Sequence, residues 1–134
     1  MDGSNSTTSD FNRKNKRTWK NPRFEDLDVW KRARELCIRI SSIMRDSRDW
    51  AFRDQMIRSS LSISSNIAEG HERGSNKDFV RFLYIARGSC GELRTQLDIA
   101  KEVPCIPEKE ATEMIDETKE ISAMIVGLIR KRSC

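Results

Sequence analysis

Apolar side chains return at every third or fourth position over four stretches of the chain, with charged or small polar residues between them. From Leu27, the series Trp30, Ala33, Cys37, Ile40 and Met44 keeps this spacing. Such a series lies on one face of a 3.6-residue helix and on no single face of a strand. It predicts a first helix from Leu27 to Arg45, with Asp26 or Asp28 near its positive end. Phe79, Leu83, Ala86, Cys90, Leu93, Leu97 and Ala100 hold near-heptad spacing and predict a third helix, stopped by "VPCIP". Pro107 suits the first turn of a fourth helix. The buried face of that helix is predicted as Ala111, Met114, Thr118, Ile121, Ile125 and Leu128. Glu108, Glu110 and Glu113 at its start, and Arg130, Lys131 and Arg132 at its end, complement the helix dipole.

The second helix is less obvious, because "SSLSISSNIAEG" (59–70) alternates polar and apolar residues from Ser60 to Ser64 as a half-buried strand would. The wider window decides. Phe52, Met56, Ile63 and Ile67 share a helical face, so a helix is predicted from Trp50 to Glu69, with Ser47 or Asp49 as cap and Gly70 as the left-handed stop. Ser75 followed by Asp78 resembles a weak capping box for the third helix. Besides the arc of Phe52, Met56, Ser59, Ile63 and Ile67, the second helix carries another of Trp50, Ile57, Leu61, Ser64 and Ala68. The two arcs are wider together than the stripe of an ordinary surface helix, so something beyond the bundle core is expected to cover the excess. The serines are expected to allow close packing, with Gly88, Ser89 and Gly91 of "GSCG" as the matching surface. The remaining stripe, Gln55, Arg58, Ser62, Asn66 and Glu69, is expected to form a hydrogen-bonding seam at a subunit or helix interface, with Arg58 paired to Glu92 or Glu69. A plain solvent face, with Asn66 bonded to a local carbonyl, is the alternative.

With 134 residues, three prolines, six glycines and 34% charged side chains, the composition favours an all-α domain. The pattern of four helices and short loops predicts an antiparallel up-down-up-down four-helix bundle over residues 24–134. The first ten residues lack a signal-peptide pattern and no stretch is long and apolar enough to span a membrane, so a soluble cytoplasmic protein with no membrane partner is expected. Cys37, Cys90, Cys105 and Cys134 contain no CxxC pair and His71 is the sole histidine. The cysteines are read as reduced, with Cys37 and Cys90 acting as small hydrophobes, and no metal or other cofactor is expected. His71, in "GHERG", is read as part of an exposed turn; with no triad order and no phosphate-binding glycine loop, an enzyme is not expected.

Charge is unevenly placed. Residues 1–23 hold six basic residues against two acidic ones, the remainder holds 19 of each sign, and the whole net charge of +4 therefore lies at the amino end. This segment has no helical period and is expected to be a disordered tail. Arg13, Lys14, Lys16, Arg17, Lys20 and Arg23, with Trp19 among them, suit a nucleic-acid strand. Cations displace counterions from phosphates, and the indole stacks on an unpaired base. A solubilising basic tail is the competing reading. Arg32, Arg39, Arg81 and Arg94 would extend such a surface if folding brought them together.

"FEDLDVWKRA", "QMIRSSLSISSNIAEG" and "FVRFLYIARGSCGELRTQL" together resemble the bacterial 23S rRNA intervening-sequence protein family, over about Phe24 to Val103. The resemblance implies a bundle that assembles as a homopentameric barrel without known catalytic activity. It also implies kinship with the accessory variability proteins of diversity-generating retroelements, pentameric bundles that bind nucleic acid and a reverse transcriptase. The expected function is that of a non-enzymatic, oligomeric, nucleic-acid-associated protein that binds RNA or DNA. The alternative is a structural adaptor that recruits a protein partner, such as a reverse transcriptase, with little nucleic-acid contact.

Overall fold

In the computed structural model, which describes residues 23–133, a 3-10 turn at Phe24–Asp26 precedes four α-helices: α1 (Asp28–Met44), α2 (Trp50–Glu72), α3 (Asn76–Glu102) and α4 (Glu108–Ser133). The described residues contain no strand. Local chemistry sets several of the boundaries. The Phe52 N–H donates to Asp49 Oδ1 at 3.2 Å, and the Asp78 N–H donates to Ser75 Oγ at 3.1 Å. Each bond satisfies a backbone donor that the first turn of a helix leaves open. Pro107 immediately precedes α4, and its carbonyl accepts from the Ala111 N–H at 3.0 Å. No helix among the described residues is long and apolar enough to cross a membrane.

The core is one cluster fed by all four helices. The seven α3 positions of the near-heptad series are all buried, as are Met56, Ile63 and Ile67 of α2, and Ala111, Met114, Thr118, Ile121 and Ile125 of α4. Removing each large apolar side chain from water contributes about 1.5–3 kcal/mol, more than helix propensity supplies at any one position. Two faces are rotated from the expected ones. On α1, Val29 and Leu36 are buried with Ala33, Ile40 and Met44, whereas Trp30, Cys37 and, just before the helix, Leu27 are only partly buried; on α4, Ile129 replaces Leu128. In each case two apolar candidates sit beside one another on the wheel, and the direction of the neighbouring helix chooses between them.

α2 does not stop at Gly70. It continues to Glu72, and the left-handed residue in the connection is Gly74, at φ 85°. Gly70 serves another purpose: a Cβ built there would lie 2.5 Å from Phe82 Cβ and 3.2 Å from Phe79 Cδ1. The absent side chain lets α3 press against the last turns of α2.

Candidate nucleic-acid interface

Of the basic segment, Arg13, Lys14, Lys16, Arg17, Trp19 and Lys20 lie outside the described residues. Arg23 is exposed, and its backbone N–H donates to Asp26 Oδ2 at 3.3 Å. The chain passes from Arg23 into the 3-10 turn, where Phe24 packs edge-on against Trp30, with ring centroids 5.3 Å apart, and against His71, at 6.5 Å. His71 in turn packs edge-on against Phe79 at 5.6 Å. The histidine is thus not in an exposed turn: its side chain is 16% exposed, in the last turn of α2. Because α2 overruns Gly70, the imidazole is carried inward against two aromatic rings.

Arginines gather around these rings. The Arg132 guanidinium lies 5.1 Å from the Phe79 centroid, and its Nη1 donates to Asn76 Oδ1 at 3.2 Å. Arg73 and Arg81 both lie over Phe82, at 5.0 and 4.6 Å. A polar cavity of about 290 Å³ opens between His71, Gly74, Ser75, Asn76, Phe79 and Arg132. His71 Nδ1 is the buried side-chain polar atom left without a hydrogen bond among the described residues. Exposed Glu69 pairs with Arg73 at 3.1 Å, half-buried Asp78 with Arg81 at 3.5 Å, and exposed Glu72 places Oε2 3.6 Å from His71 Nδ1.

The other helical arginines do not join this group. Arg32 forms a two-pronged bond with Glu117 (Nη2–Oε1 2.6 Å, Nε–Oε2 2.9 Å), and Arg39 Nη2 lies 2.6 Å from Glu113 Oε1. Both tie α1 to α4. The Glu117 hydrogen bond holds the Arg32 guanidinium more firmly protonated than usual, and the Arg39 hydrogen bond holds the Glu113 carboxyl below the ordinary carboxylate value. Arg94 is half-buried along α3.

The serine-rich face of α2 acts largely within the chain. Ser62 Oγ and Ser89 Oγ are 2.9 Å apart, and Ser59 Oγ lies 2.7 Å from Gln96 Oε1. The buried hydroxyls of Ser59, Ser60 and Ser64 also reach the carbonyls three residues earlier, which satisfies them without an outside partner. Asn66 Nδ2 donates to the Ser62 carbonyl at 2.8 Å and to Ser62 Oγ at 2.9 Å, the local bond that sequence left as an alternative. Arg58, Gln55 and Glu92 are exposed, and Arg58 pairs with neither Glu92 nor Glu69. Ser89 meets α2, but Gly88 and Gly91 do not: a Cβ at either would meet nothing within 4 Å. Of the second α2 arc, Trp50 is 67% and Leu61 53% exposed, while Ser64 is buried.

At the start of α2 and the end of α3, an apolar groove of about 510 Å³ lies between Phe52, Ile99, Val103 and Cys105. The described residues hold no cluster of three or more histidine, cysteine or acidic side chains placed to bind a metal ion. Sequence reasoning missed Phe82, Arg73 and Gln96. The only signal for Phe82 and Arg73 was "EGHERG" read against "DFVRF", which sets Gly70 and Arg73 opposite Arg81 and two phenylalanines.

These features define an all-α, four-helix protein with a cationic, aromatic-backed end and small residues between α2 and α3. The chain belongs to the 23S rRNA-intervening sequence protein family, whose model matches residues 25–127. Among solved structures it is similar to a protein of unknown function from the S23 ribosomal protein family of Bacteroides thetaiotaomicron. The two share 23% identity and a TM-score of 0.71 over 75% of this chain and 97% of the other. That likeness supports the fold alone. No curated protein matches the chain.

Proposed function

We propose that this chain is a non-enzymatic, cytoplasmic, nucleic-acid-associated protein that binds RNA as an oligomer, its up-down-up-down bundles joined in a homopentameric barrel. The observation that carries the reading is the basic segment Arg13–Arg23, with Trp19 inside it, in a chain whose family is described by an rRNA insert. Exposed Leu61, Tyr84, Ile85 and Ile99 on α2 and α3, with open space at Gly88 and Gly91, support a further subunit on that side. Light scattering tests the assembly: five times the 15.5 kDa chain mass is expected, and a monomer at micromolar concentration contradicts it. Replacing the six cations of Arg13–Arg23 by Gln tests the RNA reading. Affinity should fall, and the dependence of log affinity on log salt should flatten by roughly 0.7 per lost phosphate contact on a single strand. Equal affinity and slope for both proteins would leave the segment a solubilising extension.

The groove of Phe52, Ile99, Val103 and Cys105 favours a second reading, in which the bundle is an adaptor for a protein such as a reverse transcriptase. An apolar interface of that kind resists salt, whereas a phosphate interface does not.

A further inference from the structure

The contacts at one end of the molecule bring together four points distant in sequence. Phe24 touches His71, His71 touches Phe79, and Arg132 stacks on Phe79. The segment that delivers residues 1–23, the end of α2, the start of α3 and the end of α4 therefore share one surface. Arg73 and Arg81 over Phe82, and Arg132 over Phe79, stand on the two rings that flank Gly70, with Glu69, Glu72 and Asp78 at the same end.

These three cations are held in place. Arg73 and Arg81 lie over the Phe82 ring, and Arg132 lies over Phe79 while its Nη1 is bonded to Asn76. A surface arginine ordinarily gives up rotamer freedom when it binds. A guanidinium held over an aromatic ring has already lost part of that freedom, and the nitrogens not engaged by Asn76, Glu69 or Asp78 keep donors of the kind that match phosphate oxygens. The carboxylates beside Arg73 and Arg81 are solvent-accessible partners of the kind that add little net stability, so a phosphate can exchange for them. Arg132 has a neutral partner in Asn76, has no carboxylate partner among the described residues, and lines the 290 Å³ cavity with His71, whose Nδ1 makes no hydrogen bond and lies 3.6 Å from Glu72 Oε2.

We infer that this end is a phosphate-binding surface for a single nucleic-acid strand, with Arg73, Arg81 and Arg132 as its contacts on the folded domain. The inference rests on the nucleic-acid reading above and adds where on the bundle the strand lies. Its chemistry is that of a polyphosphate backbone, and the stacked arginines carry no preference for base sequence.

The test uses the full-length chain, a mixed-sequence single-stranded RNA oligonucleotide and a salt titration. One variant combines R73Q, R81Q and R132Q; a control removes as many charges at the other end with R45Q, R48Q and K109Q. The first should lose roughly tenfold or more in affinity, and its salt slope should fall by about 2, at 0.7 for each of three contacts. The control should stay within about twofold. Because loss of stacking could unsettle the fold, thermal unfolding is followed by circular dichroism, and a variant with Lys at the same three positions keeps the charge while losing the fork. It too should bind more weakly than the parent.

Equal losses in the Gln variant and its control would overturn the inference, as would full affinity in the Lys variant. So would poly-glutamate competing as well as RNA at equal charge, since the surface would then be a general polyanion site. If replacing the amino-terminal cations abolishes binding while R73Q/R81Q/R132Q has no effect, this inference fails and the nucleic-acid reading stands. If the unmodified protein binds no RNA at any salt, the nucleic-acid reading itself fails.

Discussion

The same two helices, α2 and α3, meet in opposite ways at their two ends. Where α2 ends and α3 begins, Gly70 leaves no side chain and Phe82 occupies the space, with the would-be Cβ only 2.5 Å from Phe82 Cβ. Where α2 begins and α3 ends, Phe52, Ile99 and Val103 stand apart around an open groove of about 510 Å³. One end is closed by an aromatic ring that also supports two arginines. The other leaves apolar side chains uncovered within the chain. Packing density is thus not uniform along a helix pair, and the difference separates a rigid charged surface from an apolar one.

The largest expected effect tests the closed end. Phe82→Ala removes a nearly buried ring and should cost about 3–5 kcal/mol in urea unfolding, and the platform beneath Arg73 and Arg81 goes with it. A loss below about 1 kcal/mol would mean that this end is no tighter than the other. Gly70→Ala should destabilise by about 1–3 kcal/mol, because α3 must shift to admit one methyl group. Its reversed counterpart is Gly88→Ala, where the added Cβ meets open space and the gain in helix propensity should stabilise the isolated chain by about 1 kcal/mol. If a second subunit covers that position, the same substitution should instead reduce the mass seen by light scattering.

The smallest effect separates the ends by thiol chemistry. Cys105 borders the open groove, whereas Cys90 is fully buried in the core and burial pushes its thiol up to about 11 from an ordinary 9.0. Alkylation of the folded protein near pH 8 should label Cys105 and spare Cys90, as read by peptide mass mapping. A thiol whose folded value is raised stabilises fully below the unfolded value, so its contribution should be constant up to about pH 9 and fade as pH rises toward 11. Fast labelling of Cys90 would show that the core opens readily.

Sequence was most readable where one residue type dominated one face. The α3 series Phe79 to Ala100 alternates with strongly polar positions, and every member is buried. It was least readable in α2, where serine suits a core hydroxyl bonded to its own helix, a helix contact or a wet surface equally well. Ser62 illustrates this: its place in the stripe was legible, but its partner Ser89 is 27 residues away and came only with the fold. Substituting Arg at Ser62, which on a subunit seam would weaken assembly, would here first separate α2 from α3. Gly70 shows the same limit, since a glycine after a helical run reads as a stop unless a large ring is known to approach it.

Local periodicity and capping chemistry by themselves determined four helices, their approximate ends and most of their buried faces, because those depend on residues within a few positions of one another. Tertiary structure decided which of two adjacent apolar stripes turns inward on α1 and α4, that His71 lies against Phe24 and Phe79, and that Arg73, Arg81 and Arg132 come to rest on phenylalanine rings. Each depends on where a distant helix passes, and that distance is set by packing of the whole core, which no local stretch of sequence contains.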